Sequence, residues 1–226
     1  MSSSIRQRFD ESLDQLKRDS IHMAGLVLEN IRRTSEAILE NRLRLVAEVI
    51  NADDEVDRRY SKLEQDVFEL AARQQPTAGD LRFLISLTRI VHELERSGDL
   101  AVNTVKALNR SAGFDLPPRI RATLSHLCDD TAAIFRAGID ALADMEADAG
   151  AALDAQDDAI DDLIDSLYEA LLSSENSIPR DVALELALVA RYMERIADHA
   201  VNIGDHVSYI VTGVFPQHEH LKASGG

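Results

Sequence analysis

The chain has 226 residues, 24 Lys and Arg against 40 Asp and Glu, and a formal charge of −16. It has no Trp, 5 Pro and 10 Gly, so turn formers are scarce, while its 45% hydrophobic content is ample for a buried core. An acidic chain of this kind is repelled by phosphate backbones and anionic lipid, which argues against nucleic acid and membrane surfaces as partners. The charge is uneven. Residues 1–112 carry 17 basic and 19 acidic side chains, residues 113–226 carry 7 and 21, and the stretch 137–179 holds twelve carboxylates without a Lys, Arg or His. The single Cys128 offers neither an internal disulfide nor a zinc motif. No signal peptide or membrane-length apolar run is visible, so the expected location is the cytoplasm, without membrane insertion.

Apolar periodicity is helical nearly throughout. Six helices are expected, over roughly 6–39, 42–73, 78–109, 117–143, 147–174 and 178–212. Gln75-Pro76-Thr77 breaks one helix and offers Thr77 as the N-cap of the next. Ser111-Ala112-Gly113 through Pro117-Pro118 is the strongest breaker and divides the chain. Softer turns are expected near Glu40–Arg42 and Asp144–Ala147, and a further break at Ser173–Pro179. The last helix carries the clearest seam: Val182, Leu186, Val189, Met193, Ile196, Ala200, Ile203, Val207 and Ile210.

Three helices, a linker and three helices invite a search for a repeat. Glu95-Arg96-Ser97-Gly98-Asp99-Leu100-Ala101-Val102-Asn103 matches Glu194-Arg195-Ile196-Ala197-Asp198-His199-Ala200-Val201-Asn202 at six of nine positions. Asp53-Asp54-Glu55-Val56-Asp57 matches Asp157-Asp158-Ala159-Ile160-Asp161 in the same order. The expected architecture is all-α: two tandem three-helix bundles over 1–112 and 113–214, then a loose polar tail over 215–226.

Each half thus has two acid pairs at i,i+4: Asp53/Asp57 with Glu95/Asp99, and Asp157/Asp161 with Glu194/Asp198. Residues so spaced share a helix face with Cβ atoms ~5–6 Å apart, and like charges there cost a few tenths of a kcal/mol. A cation reverses that sign, and hard oxygen ligands suit Mg²⁺, Ca²⁺, Mn²⁺ or iron. If the second and third helices of each half form an antiparallel hairpin turning near Gln75 and Asn176, the pairs sit at similar heights. At about 100° per residue, Glu194, Asp198 and Asn202 lie roughly 140–220° from the apolar seam, and Glu95, Asp99 and Asn103 roughly 80–160° from theirs. The expectation is four carboxylates and an amide per repeat on a surface groove outside the core. The plainer alternatives are solvated acidic faces, ion pairs of the acids with Arg96 and Arg195, His199 as an ordinary core or solvated histidine, and Asn103 and Asn202 as interhelical hydrogen bonders. A ferritin-like di-iron site requires Glu-x-x-His, which Gly98 and Ala197 rule out. No nucleotide-binding lysine loop, GxSxG or HExxH motif is present.

These motifs resemble the PhoU family of bacterial phosphate-uptake regulators. The likeness runs through NADDEVDRRYSKLE, QQPTAGDLRFL, ERSGDLAVN, DDAIDDL, ERIADHAVNIGDHV and YIVTG, over nearly the whole chain. The resemblance implies PhoU-like tandem three-helix bundles, multinuclear surface metal clusters, and negative regulation of phosphate uptake and of the phosphate-starvation response. It implies the phosphate ABC transporter's ATPase subunit and a sensor histidine kinase as partners, and a homodimer. By position it carries Asp53, Asp57, Glu95, Asp99, Asp157, Asp161, Glu194 and Asp198 over as metal ligands, with Asn103 and Asn202 as further candidates. Iron, manganese, magnesium and zinc are the candidate ions. Leu100 stands where the second copy has His199, so the halves need not bind metal equally. The other readings are a metal-dependent phosphohydrolase and a metal-free helical scaffold.

Overall fold

The computed structural model describes residues 2–73, 76–173 and 178–214. The turns expected at Gln75 and Asn176 and the tail over 215–226 lie outside the described residues. Six helices follow in order: α1 (Ser2–Leu39), α2 (Arg44–Arg73), α3 (Ala78–Arg110), α4 (Pro118–Asp144), α5 (Ala149–Leu172) and α6 (Arg180–Thr212). Their bounds fall within a few residues of those the periodicity predicts.

Local chemistry sets the boundaries. Thr77 caps α3 in a capping box: the Asp80 carboxylate accepts from the Thr77 backbone N–H at 2.9 Å, and Thr77 Oγ1 accepts from Asp80 N–H. Asp80 is also gripped at both oxygens by Arg6, at 2.6 and 3.0 Å, which fastens the start of α1 to the start of α3. The guanidinium holds the Asp80 carboxyl well below the usual carboxylate range. The two soft turns, lacking Gly and Pro, close through left-handed residues at Asn41 and Met145. In the linker, Gly113 has φ +107°, and a Cβ there would lie 2.3 Å from Asn41 Oδ1, the atom that accepts from Phe114 N–H.

The helices stack in two layers. In front, α2, α3, α6 and α5 lie side by side; behind them α1 and α4 pack on each other, α1 across α2 and α3, and α4 across α5 and α6. Among the described helices, the repeats meet through α3 with α6 and α1 with α4. A single apolar cluster nevertheless runs through both, from Leu16 and Ile31 of α1 to Met193 and Val207 of α6, with Phe114 and Leu116 of the linker built in. Burying each such side chain stabilises by about 1.5–3 kcal/mol, so the two bundles share one core.

The pair at the centre is antiparallel. Arg110 meets Glu185 at 2.6 Å, Ser97 meets His199 at 3.0 Å, and the Arg82 guanidinium lies 6.0 Å from the Tyr209 ring centre. That register brings Gly98 level with Ala197. These are equivalent positions of the duplicated motif, so a pseudo-twofold axis passes between α3 and α6 at that height.

Candidate metal centre

Each acid set lies in a groove of the front layer, one between α2 and α3 and the other between α5 and α6. The seam residues Leu87, Leu94 and Val105 are buried, as are Met193, Ile196 and Ile203. The acids fall beside that seam because 3.6-residue periodicity separates them from it. Asp57, Asp99, Asp161, Asp198 and Asn202 are exposed; Glu95, Asn103, Asp157 and Glu194 are half-buried. The acids lie outside the apolar core on both sides, with one correction. Asp53 is buried, at 8% exposure, in the wall of its groove.

The cause is Gly98. A Cβ added there would sit 2.6 Å from Asp53 Oδ1 and 3.5 Å from Val56 Cγ1, so only the bare glycine backbone lets α2 lower its carboxylate onto α3. Asp53 Oδ1 has no hydrogen-bond partner. An ionised carboxylate oxygen buried without a donor is costly, and the group responds by holding its proton more tightly. Desolvation, aided by the charges of Asp57, Asp99 and Glu95, pushes Asp53 up to about 7. Glu95 is raised too, by burial first and then by Asp99. The second groove repeats the pattern. Asp157 is pushed up to about 7 by desolvation and then by Asp198 and Asp161, and Asp198 is raised by desolvation and Glu194. All four acids of each half therefore share one field, as the hairpin heights predict.

The donor chemistry fits a hard cation: four carboxylates with a nearby amide per groove and, in the first, one carboxylate oxygen packed over Gly98 with no hydrogen-bond partner among the described residues. As placed, no three of the described His, Cys, Asp and Glu side chains close on one point.

The plainer alternatives resolve in several ways. Neither Arg96 nor Arg195 forms an ion pair among the described residues; Arg191 pairs with Glu194 instead. His199 is a buried histidine of the α3–α6 seam, held down to about 4 by burial and by the arginines Arg96 and Arg195. Asn202 is near enough to the Glu93 carboxylate to favour its charged form.

Glu93 and Ser97 escaped the sequence reading. The Ser97 hydroxyl donates to the Glu93 carbonyl at 2.8 Å, which leaves its oxygen to accept from His199 Nδ1 at 3.0 Å. His199 Nε2 lies 3.6 Å from a Glu93 carboxylate oxygen. The order Ser–His–Glu mimics a hydrolase triad, but Ser97 is fully buried and its proton is committed to the backbone. The group works as a polar clamp between the repeats. The departure of His199 from Leu100 in the motif was the signal that could have found it.

The comparisons with known proteins agree with the repeat. The PhoU domain family matches this chain twice, over residues 21–108 and 124–207. A relative from Synechocystis sp., called a phosphate-specific transport system accessory protein PhoU homolog, is 33% identical over 222 residues, covering 92% of this chain and 93% of the relative. A protein of the same description from Rhizobium meliloti is 31% identical, covering 96% and 93%. The crystal structure of PhoU from Pseudomonas aeruginosa superposes with a TM-score of 0.85 at 26% identity, covering 91% of this chain and all of that one.

Proposed function

This chain belongs to the PhoU family, and on that premise we propose that it is an accessory protein of phosphate-specific transport. Its role would be negative regulation of phosphate uptake and of the phosphate-starvation response, exerted from the cytoplasm and without catalysis. The transporter's ATPase subunit and a sensor histidine kinase are the proposed partners, with a homodimer as the working form. The names of the full-length relatives support the transport role. No described helix is long and apolar enough to cross a membrane, which accords with an adaptor that acts on membrane machinery from outside the bilayer.

The metal-binding part of this reading rests on one observation: Asp53 Oδ1, buried over Gly98 and without a hydrogen-bond partner among the described residues. Asp53, Asp57, Glu95 and Asp99 would hold metal in the first groove, with Asn103 a neutral donor nearby. Asp157, Asp161, Glu194, Asp198 and Asn202 would do so in the second. A bound di- or trivalent cation supplies the positive charge that crowded carboxylates lack. The residues themselves bind on two helices each, so that an occupied groove ties α2 to α3, or α5 to α6. Iron, manganese, magnesium and zinc all remain candidates.

Elemental analysis of the full chain, purified at near-physiological ionic strength, tests the metal; a metal-free protein that stays so after incubation with each ion refutes it. Co-purification from native cells tests the adaptor role, and recovery of neither ATPase subunit nor kinase counts against it.

A further inference from the structure

Each repeat has an outer groove where its back helix meets the edge helix of the front layer, α1 with α2 and α4 with α5. In the first repeat two clefts of about 250 and 90 Å³ run along it and join at Asp19 and Asp66. Arg59, Lys62 and Arg73 line them beside the acids. The edge helix neutralises itself there. Arg58 and Arg59 bridge to Glu55, Lys62 to Asp66 and Arg73 to Glu69, all at 2.7–2.9 Å.

The second repeat keeps the groove and drops the cations. Its clefts, of about 480 and 340 Å³, join at Asp130 and Ala159. Asp129, Asp130 and Asp162 line them, all exposed and none in an ion pair among the described residues, and no Lys or Arg lines them. Arg136 faces the α1 side of α4 and stands 3.7 Å from Asp140 instead. The edge helix α5 carries seven carboxylates and no Lys, Arg or His, whereas α2 carries eight carboxylates with five Lys or Arg. Like charges four apart, such as Asp158 with Asp162 and Asp161 with Asp165, repel along α5. The first repeat forms the same groove with balanced charge, so folding does not require this repulsion. A cationic occupant relieves it.

The floor suits a helix. Ala133, Ala155 and Ala159 offer no more than a methyl group each, so a third helix can lie close, with Leu163 as an apolar contact at one end. From Ala155 to Ser166 the groove runs about 16 Å, roughly three helical turns. We infer that the α4–α5 groove docks a lysine- or arginine-rich helix of a partner protein. The inference rests on the reading of the chain as a protein-binding adaptor, and it adds the surface used and the charge and shape of what it grips.

A photo-crosslinking phenylalanine at Gln156 or at Ser166 in the full chain, in native cells, tests it. The same probe at Gln15 in the α1–α2 groove is the comparison. Gln156 and Ser166 should capture one segment of one protein, with Lys or Arg recurring three or four residues apart, and Gln15 should not capture it. A neutral or acidic segment, this chain itself, or nothing captured overturns the inference. The captured segment, made as a peptide and titrated into the full chain, should lose at least about tenfold in affinity with Asp130→Asn and Asp162→Asn together. Asp66→Asn with Glu69→Gln should leave it within about twofold, and binding should weaken between about 50 and about 300 mM salt. Equal losses in the two grooves, or no salt dependence, also overturn it. Asp130→Asn with Asp162→Asn should melt no lower than the parent, because it relieves repulsion and breaks no ion pair. A lower melting temperature would give these carboxylates to the fold and overturn the inference. Capture of a basic helix from a protein that is neither ATPase subunit nor kinase refutes the partners proposed above and leaves this inference standing. Recovery of the ATPase subunit or kinase with nothing captured at Gln156 and Ser166 does the reverse.

Discussion

Asp53 and Asp157 occupy equivalent places in the two repeats, yet one is buried against a glycine and the other is half-exposed beside a chain that has alanine at the matching position. Gly98 and Ala197 differ by a methyl group, and that methyl would fall 2.6 Å from the Asp53 oxygen. A second difference follows in the same motif. Glu194 is paired with Arg191, whose charge also reaches Asp198, whereas the first repeat has His92 at that place. The first set therefore has its Asp53 buried, with Arg96 and His92 acting on Glu95 only from beyond ion-pair distance, and the second is shallower and holds a direct Arg191–Glu194 pair. Duplication preserved the acid pattern while single residues altered depth and charge, which separates the spacing a cation would need from the affinity it would find.

Several experiments would break or sharpen that contrast. The largest expected effect is loss of an entire site: Glu95→Ala with Asp99→Ala should remove the metal of the first repeat, and Glu194→Ala with Asp198→Ala that of the second. Metal-to-protein ratios by elemental analysis check it, and unchanged ratios would end the site assignment. Next comes Gly98→Ala. The added methyl must displace Asp53, so affinity in the first groove should fall by about tenfold or more, about 1.4 kcal/mol, read by calorimetric titration in an E194A/D198A background. The reciprocal Ala197→Gly should not weaken the second groove.

Asp53→Asn probes the buried carboxyl in metal-free protein. Its folded-state pKa is raised to about 7, so folded protein binds this proton more tightly than unfolded chain does. The contribution is favourable at low pH and is lost as pH rises from about 4 through about 7. The variant should therefore melt close to the parent near pH 4 and several degrees above it at pH 8. His199 and His206, both held down to about 4, act in the opposite sense in parent and variant alike, so only the difference between the two melting curves is diagnostic. A difference independent of pH would contradict the burial argument.

Smaller still, Arg191→Ala should strengthen cation binding in the second groove several-fold by releasing Glu194, while leaving the first unchanged. The smallest effect is expected at the Arg110–Glu185 bridge. It joins the repeats at an exposed end, so Glu185→Gln should cost under about 1 kcal/mol by denaturant melting, less at high salt.

Much of this contrast could be read from the residues in order. Helix bounds followed from apolar periodicity, Pro and capping residues, because those act within a few residues of themselves. The acid pairs were legible because a period of four fixes their face whatever surrounds the helix. Their similar heights were legible because the hairpin arms have matching lengths. Glu93 and Ser97 were not, because their roles arise from atoms about a hundred residues away on α6. Arg96 and Arg195 looked like ion-pair partners for the neighbouring acids; among the described residues neither makes such a pair, and their charges act on Glu95 and Asp198 from further away.

What the sequence determined by itself was therefore periodic and local: six helices, the duplicated order of the acids, the uneven charge, and the family to which the chain belongs. Tertiary structure alone decided that two repeats share one core, that α3 and α6 cross antiparallel about a pseudo-twofold axis, and that Asp53 sinks while Asp157 does not. The physical reason is range. Capping and periodicity act over one or two helical turns. Desolvation and steric exclusion depend on which atoms arrive from elsewhere, and at Gly98 a single absent methyl group decides the outcome.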